Sequence, residues 1–171
     1  EPEFIGKTED VITFSNNEAL NGGGISCNDC TGLKTAKVSF ISNKALKNGG
    51  AIELVSTRSA SIQSTTFKGC SADNNGGALY SYSSMQISVD TSEFISNKAT
   101  KGGGGGIYWG FPEIVMKIIV TINDLPIKIK QQTVMKINNT ANYGNFIASA
   151  AHSIFMMDGP SHKSSTVENN Y

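Results

Sequence analysis

A short unit recurs along this chain at nearly constant spacing, and that repetition restricts the fold more than any single motif does. Phe14, Phe40, Phe67 and Phe94 mark a period of about 27 residues, and each is followed five positions later by Ala19, Ala45, Ala72 or Ala99. Three positions after each phenylalanine come Asn17, Asn43, Cys70 and Asn97. Each copy then runs into glycines and a branched aliphatic residue: Gly23-Gly24-Ile25, Gly50-Ala51-Ile52, Gly77-Ala78-Leu79 and Gly105-Gly106-Ile107. A fifth, degenerate copy follows an insertion, with Ala141 lying more than a full period beyond Ala99 and Gly144-Asn145-Phe146-Ile147 closing it. A unit this short cannot bury an apolar face alone, so neighbouring copies must stack.

The segments between turn signals are too short for a helical period and alternate instead, as in Val38-Ser39-Phe40, Ile52-Glu53-Leu54 and Met85-Gln86-Ile87-Ser88-Val89. Two or three short strands in each coil, joined by Gly, Asn and Ser bends, predict an all-β parallel β-helix. The crossover preference makes it right-handed. In such a solenoid each sequence column becomes a physical ladder. Phe14, Phe40, Phe67 and Phe94 are expected to stack inside, and Asn17, Asn43 and Asn97 to turn inward and pair bend backbone with the amides above and below. Cys70 is expected to pack as a small interior residue in the asparagine column.

Phe-x-x-Asn followed by Gly-Gly-Ala-(Ile/Leu/Val) resembles the repeat of the polymorphic outer membrane proteins of chlamydiae, also found in large surface proteins of protists. The residues that carry the likeness are Phe14/Asn17 with Gly23/Gly24/Ile25, Phe40/Asn43 with Gly49/Gly50/Ala51/Ile52, Phe67 with Gly76/Gly77/Ala78/Leu79, and the copy from Phe94 and Asn97 to Ile107. Cys70 in place of asparagine and Lys136 in place of the fifth phenylalanine depart from the pattern. The resemblance implies a β-helix passenger or ectodomain at the cell surface or outside the cell, serving adhesion or surface display, and implies no single chemistry.

Three stretches are expected: coils over 1–110, an insertion over 111–135 that reads as a β-hairpin or an enlarged coil, and further degenerate coils over 136–171. Met116 to Ile122 alternates, Asn123-Asp124-Leu125-Pro126 reads as a turn, and Ile127-Lys128-Ile129 resumes the alternation. Val167-Glu168-Asn169-Asn170 resembles Ile41-Ser42-Asn43-Lys44, so the chain is expected to be a piece of a longer protein, or to be capped by a partner.

Charge argues against a polyanionic partner, since 14 Lys and Arg balance 14 Asp and Glu, and nucleic acid is not expected. No apolar run approaches the ~20 residues of a membrane-spanning helix. Protein partners in a larger assembly, flanking parts of the same chain and glycans are the expected contacts, and no cofactor is.

Cys27-Asn28-Asp29-Cys30 lacks the second half of a zinc site, and His152 and His162 are distant in sequence, so a local disulfide is the expected state in an oxidising compartment. The glycine run 102–106 has no Lys-Ser/Thr after it and reads as a loosened bend. Alternation turns Glu53, Tyr80, Tyr82 and Tyr108 outward, and with Trp109 beside them these rings form a candidate binding face for sugars or protein. Asn138-Asn139-Thr140 is a candidate glycosylation triplet at Asn138.

Catalysis is not expected. Asp29, Asp73, Asp90, Asp124 and Asp158 fall at different phases of the repeat, Arg58 is the only arginine, and neither histidine has a nucleophile constellation. A structural element of an extracellular assembly is the leading reading. An adhesin using the aromatic face is the second, and a polysaccharide-degrading enzyme the third.

Overall fold

The computed structural model describes residues 2–7, 10–111, 127–129 and 134–149, and the strands Ser153–Met156 and Ser165–Glu168. Among these residues every regular element is a strand. The first coil holds β1 (Glu3–Ile5), β2 (Ile12–Ser15), β3 (Glu18–Ala19) and β4 (Ile25–Asn28). The second holds β5 (Leu33–Ala36), β6 (Val38–Ile41), β7 (Lys44–Ala45) and β8 (Ile52–Val55). The third holds β9 (Ala60–Gln63), β10 (Thr66–Lys68), β11 (Ser71–Ala72) and β12 (Leu79–Tyr82). The fourth holds β13 (Ile87–Asp90), β14 (Glu93–Ile95), β15 (Lys98–Ala99) and β16 (Ile107–Gly110). A fifth level follows with β17 (Ile127–Ile129), β18 (Met135–Ile137) and β19 (Ile147–Ser149), and a bridge from Lys98 to Thr140 continues the shortest side.

Equivalent strands of successive coils pair in parallel, giving four sheets: β1-β5-β9-β13-β17, β2-β6-β10-β14-β18, β3-β7-β11-β15 and β4-β8-β12-β16-β19. The fold is therefore a parallel β-solenoid, with Phe14 in register with Phe40, Phe40 with Phe67 and Phe67 with Phe94. The coil has four sides and not the two or three read from the sequence. The extra side is made of two-residue strands such as Lys44–Ala45, too short for alternation to reveal. Ile127–Ile129 pairs in parallel with β13, while the preceding arm and turn of the expected hairpin lie outside the described residues. The last two strands, β20 (Ser153–Met156) and β21 (Ser165–Glu168), pair antiparallel with each other.

The corners explain why a chain of this composition coils. At three of them a residue in the left-handed region turns the backbone: Lys37, Ser64 and Thr91 at one, Asn16, Ser42, Gly69, Ser96 and Asn138 at the next, Asp29, Ser56 and Ser83 at another, all with positive φ. At the fourth corner the position is always glycine, Gly22, Gly49, Gly76, Gly104 and Gly144, with φ between 53° and 69°. A Cβ on Gly49 would strike the backbone of Ile52, so no other residue fits there.

At most positions of the three other corners the next residue is small and polar, points inward and satisfies the bend, the exceptions being Val38 after Lys37 and the disulfide-bonded Cys30 after Asp29. Asn43 does so by donating from Nδ2 to the Phe14 carbonyl (2.8 Å) while its Oδ1 accepts from the backbone and side chain of Asn17 (3.1 and 2.9 Å). Asn97 and Asn139 repeat the arrangement on Phe67 and Phe94. Cys70 imitates it with a thiol donating to the Phe40 carbonyl at 3.4 Å. At the other corners hydroxyls serve: Thr57 donates to the Cys27 carbonyl, and Ser84 and Ser92 accept from the N–H groups of Thr57 and Thr65.

Phe40, Phe67 and Phe94 are fully buried, and the rings of Phe14 to Phe94 stack at centroid spacings of 5.0, 5.2 and 4.6 Å. Phe4 and Phe146 close the stack edge-on at 5.4 Å from Phe14 and Phe94 respectively. Phe146 thus takes over the duty of the missing fifth phenylalanine. Lys136, in register with Phe94, is exposed and lays its ammonium 5.2 Å from the Phe146 ring centroid.

Candidate functional site

The sheet built from β4, β8, β12, β16 and β19 carries the candidate site on its outer face. Register places Ser26, Glu53, Tyr80, Tyr108 and Ala148 in one outward column. Tyr80 and Tyr108 stack with centroids 5.3 Å apart, and Tyr82 flanks Tyr80 at 6.4 Å. These three rings come together as the alternation requires, but the face differs from the expected open platform in two respects. Tyr108 is only 7 % exposed, because the ring of Tyr80 lies along it and the Tyr143 phenol approaches its hydroxyl. Trp109 is not beside the tyrosines: it is in register with Ser81, in the inward column of Cys27 and Leu54, and packs on the core. One residue of chain reverses the face, so a tryptophan adjacent to an outward tyrosine must point inward.

Glu53 is a charged side chain on this face that is nevertheless buried, and its Oε2 accepts from the Ser26 hydroxyl at 2.9 Å. Burial pushes its carboxyl above the ordinary carboxylate value, and the Ser26 hydrogen bond opposes that shift. The Tyr80 phenol is pushed up to about 12, first by burial and then by the Glu53 charge. Burial also raises the Tyr108 phenol, reinforced by Tyr143 and Tyr80. The face therefore offers the half-buried Tyr80 phenol as a neutral hydrogen-bonding group, not as a base, while Tyr108 is buried.

The remaining candidates are scattered over the coil. Cys27 and Cys30 are joined in a disulfide with Cα atoms 5.8 Å apart, closing the bend after β4, while Cys70 is a buried free thiol. Asn138 is exposed at a left-handed corner (φ 51°), its neighbour Asn139 being buried in the asparagine ladder. Asp29 follows β4, Asp73 follows β11 and Asp90 ends β13, so these carboxylates sit on different sides of the coil. Asp124, Asp158, His152 and His162 lie outside the described residues. Among the described residues no group of three or more His, Cys, Asp or Glu is placed to hold a metal ion. No described helix is long and apolar enough to cross a membrane.

One column escaped the sequence reading. Asn21, Asn48 and Asn75 form a second, half-buried asparagine ladder just before the glycine corner, each Oδ1 accepting from the backbone N–H of the coil above. Its signal is the recurrence of Asn-Gly once in each of three successive coils, which the stronger glycine pattern beside it obscured.

Residues 11–28 and 37–53, the turns of chain that contribute Phe14/Asn17 and Phe40/Asn43, match the Chlamydia polymorphic membrane protein (Chlamydia_PMP) repeat. Those two stretches carry that repeat. Register extends the same columns through Phe67 and Phe94. A polymorphic membrane protein repeat points to a segment of a surface protein, and it names no substrate or partner. Neither a curated protein nor a solved structure gives a significant match.

Proposed function

We propose that this chain is a non-catalytic, extracellular β-solenoid segment that acts as a structural element in a surface assembly. The observation that carries the reading is where its recurring residues go. The Phe, Asn and Gly columns are all spent on stacking and on satisfying corners, from Phe14 to Asn139. A chain whose repeated residues serve only its own stack is suited to hold a fixed length and shape, with partners drawn from the assembly or from flanking parts of the same protein.

Adhesion is the second reading, favoured by the half-exposed Tyr80 and Tyr82. Two sets of variants in the parent protein at its native surface separate the readings. The structural reading expects Asn97→Ala, which breaks a ladder, to remove the protein from its assembly, and Tyr80→Ser with Tyr82→Ser to leave it in place. Loss of attachment to glycans or matrix proteins in the tyrosine variant, at unchanged melting temperature, would instead make the chain an adhesin.

A further inference from the structure

Asn21-Gly22, Asn48-Gly49 and Asn75-Gly76 recur once per coil, and Asn-Gly is the dipeptide most open to deamidation, because no Cβ hinders the glycine nitrogen. In that reaction the glycine amide, giving up its proton, bonds to Cγ of the asparagine and ammonia leaves. Water then opens the resulting succinimide. Opening at Cγ gives aspartate, and opening at the backbone carbonyl gives isoaspartate, whose chain runs through the side-chain carbon.

In the folded solenoid both reacting groups of each step are held by a single residue of the coil above. Asn48 donates its N–H to Oδ1 of Asn21 (3.3 Å) and accepts from the N–H of Gly22 (3.0 Å). Asn75 holds Asn48 Oδ1 and the Gly49 N–H in the same way, at 3.2 and 3.0 Å. Gly103 holds Asn75 Oδ1 and the Gly76 N–H, at 2.9 and 3.0 Å. The glycine nitrogen cannot swing to Cγ without breaking a rung, and the amide oxygen is tied to the same residue.

We infer that these three steps are deamidation sites held shut by coil stacking, and that they open in a fixed direction, Asn75 before Asn48. Isoaspartate at position 75 adds a backbone carbon and displaces the N–H and carbonyl that clamp Asn48-Gly49. The converse does not hold, since the clamp on Asn75 belongs to Gly103. Gly103 lies in the glycine run 102–106, the stretch with the most chain entropy to gain on local opening. The ladder is thus an irreversible record of coil opening that runs one way down the stack.

The test is site-resolved peptide mass mapping of the full chain at mildly alkaline pH, in native buffer and in urea. In urea the three sites convert at comparable rates. In native buffer each is slowed at least about a hundredfold, and conversion at Asn48 occurs in molecules already converted at Asn75. Gly103→Pro, which lacks the N–H that holds Asn75 Oδ1 and also forces the Tyr143 ring aside, speeds Asn75 first, and Asn48 only in molecules already converted at Asn75. Should that variant not fold, the wild-type comparison decides the matter by itself. Equal rates in native buffer and urea would overturn the gating, and Asn48 conversion beside intact Asn75 would overturn the direction.

Discussion

The backbone N–H of Cys70 donates to Oδ1 of Asn97, one coil further along, at 2.9 Å. Asn97 also donates from Nδ2 to the Phe67 carbonyl at 3.0 Å, so one buried side chain satisfies two groups of the bend below. Asn97→Ala leaves the Cys70 N–H unpaired in a dry corner and takes the side-chain donor from the Phe67 carbonyl. The expected loss is about 2–4 kcal/mol by equilibrium urea unfolding, and a loss below about 1 kcal/mol would mean that water reaches the bend.

Cys70 occupies an asparagine position with a weaker donor and a poor acceptor. Cys70→Asn is expected to stabilise the fold by about 1 kcal/mol by presenting an amide oxygen to the N–H of Asn43. In the wild-type protein burial pushes the Cys70 thiol up to about 11. Thiol reagents at mildly alkaline pH should therefore modify it only as the chain unfolds.

Phe67 is clasped between Phe40 and Phe94. Because rungs on both sides fix those neighbours, the hole left by Phe67→Ala cannot collapse. Its expected cost is about 3–5 kcal/mol in thermal or urea unfolding.

Corner chemistry is testable through a contrast. Ser42 and Ser96 hold φ of 53° and 54° in a column where Gly69 holds 64°. Ser42→Gly relieves left-handed strain while adding unfolded-state freedom, so it should lie within about 1 kcal/mol of neutral. Gly49→Ala places a Cβ against the Ile52 backbone and should destabilise by more than about 2 kcal/mol.

Glu53 gives the fold a pH dependence of definite sign. Its folded-state value lies above the ordinary 4.5, so its contribution is fully present below the ordinary value and is lost as pH rises through the folded one. Melting temperatures of wild type and Glu53→Gln measured across the acid range should diverge in favour of the variant as pH increases. Parallel curves would show that the carboxyl is not desolvated.

Period and residue type were enough to read the solenoid, the phenylalanine stack and the asparagine ladder, because each column repeats one side chain under one constraint. The hydroxyl corners were harder to see. Thr57 and Ser84, or Thr65 and Ser92, serve the same bend with different residues, and their serine and threonine neighbours are equally common on the surface. Phe146 was invisible as the cap of the stack, since it reaches Phe94 from a different phase of the repeat than Lys136. The tyrosine row was legible from alternation. The burial of Tyr108 was not, because it depends on Tyr143, which lies beyond the insertion.

Immunogold electron microscopy of the native source material, which locates the chain before isolation, is the most direct measurement of its role. A structural segment predicts label at the cell surface or in extracellular material at a fixed spacing along a filament or coat. Label on isolated rods with no regular spacing, or confined to the cell interior, would contradict it.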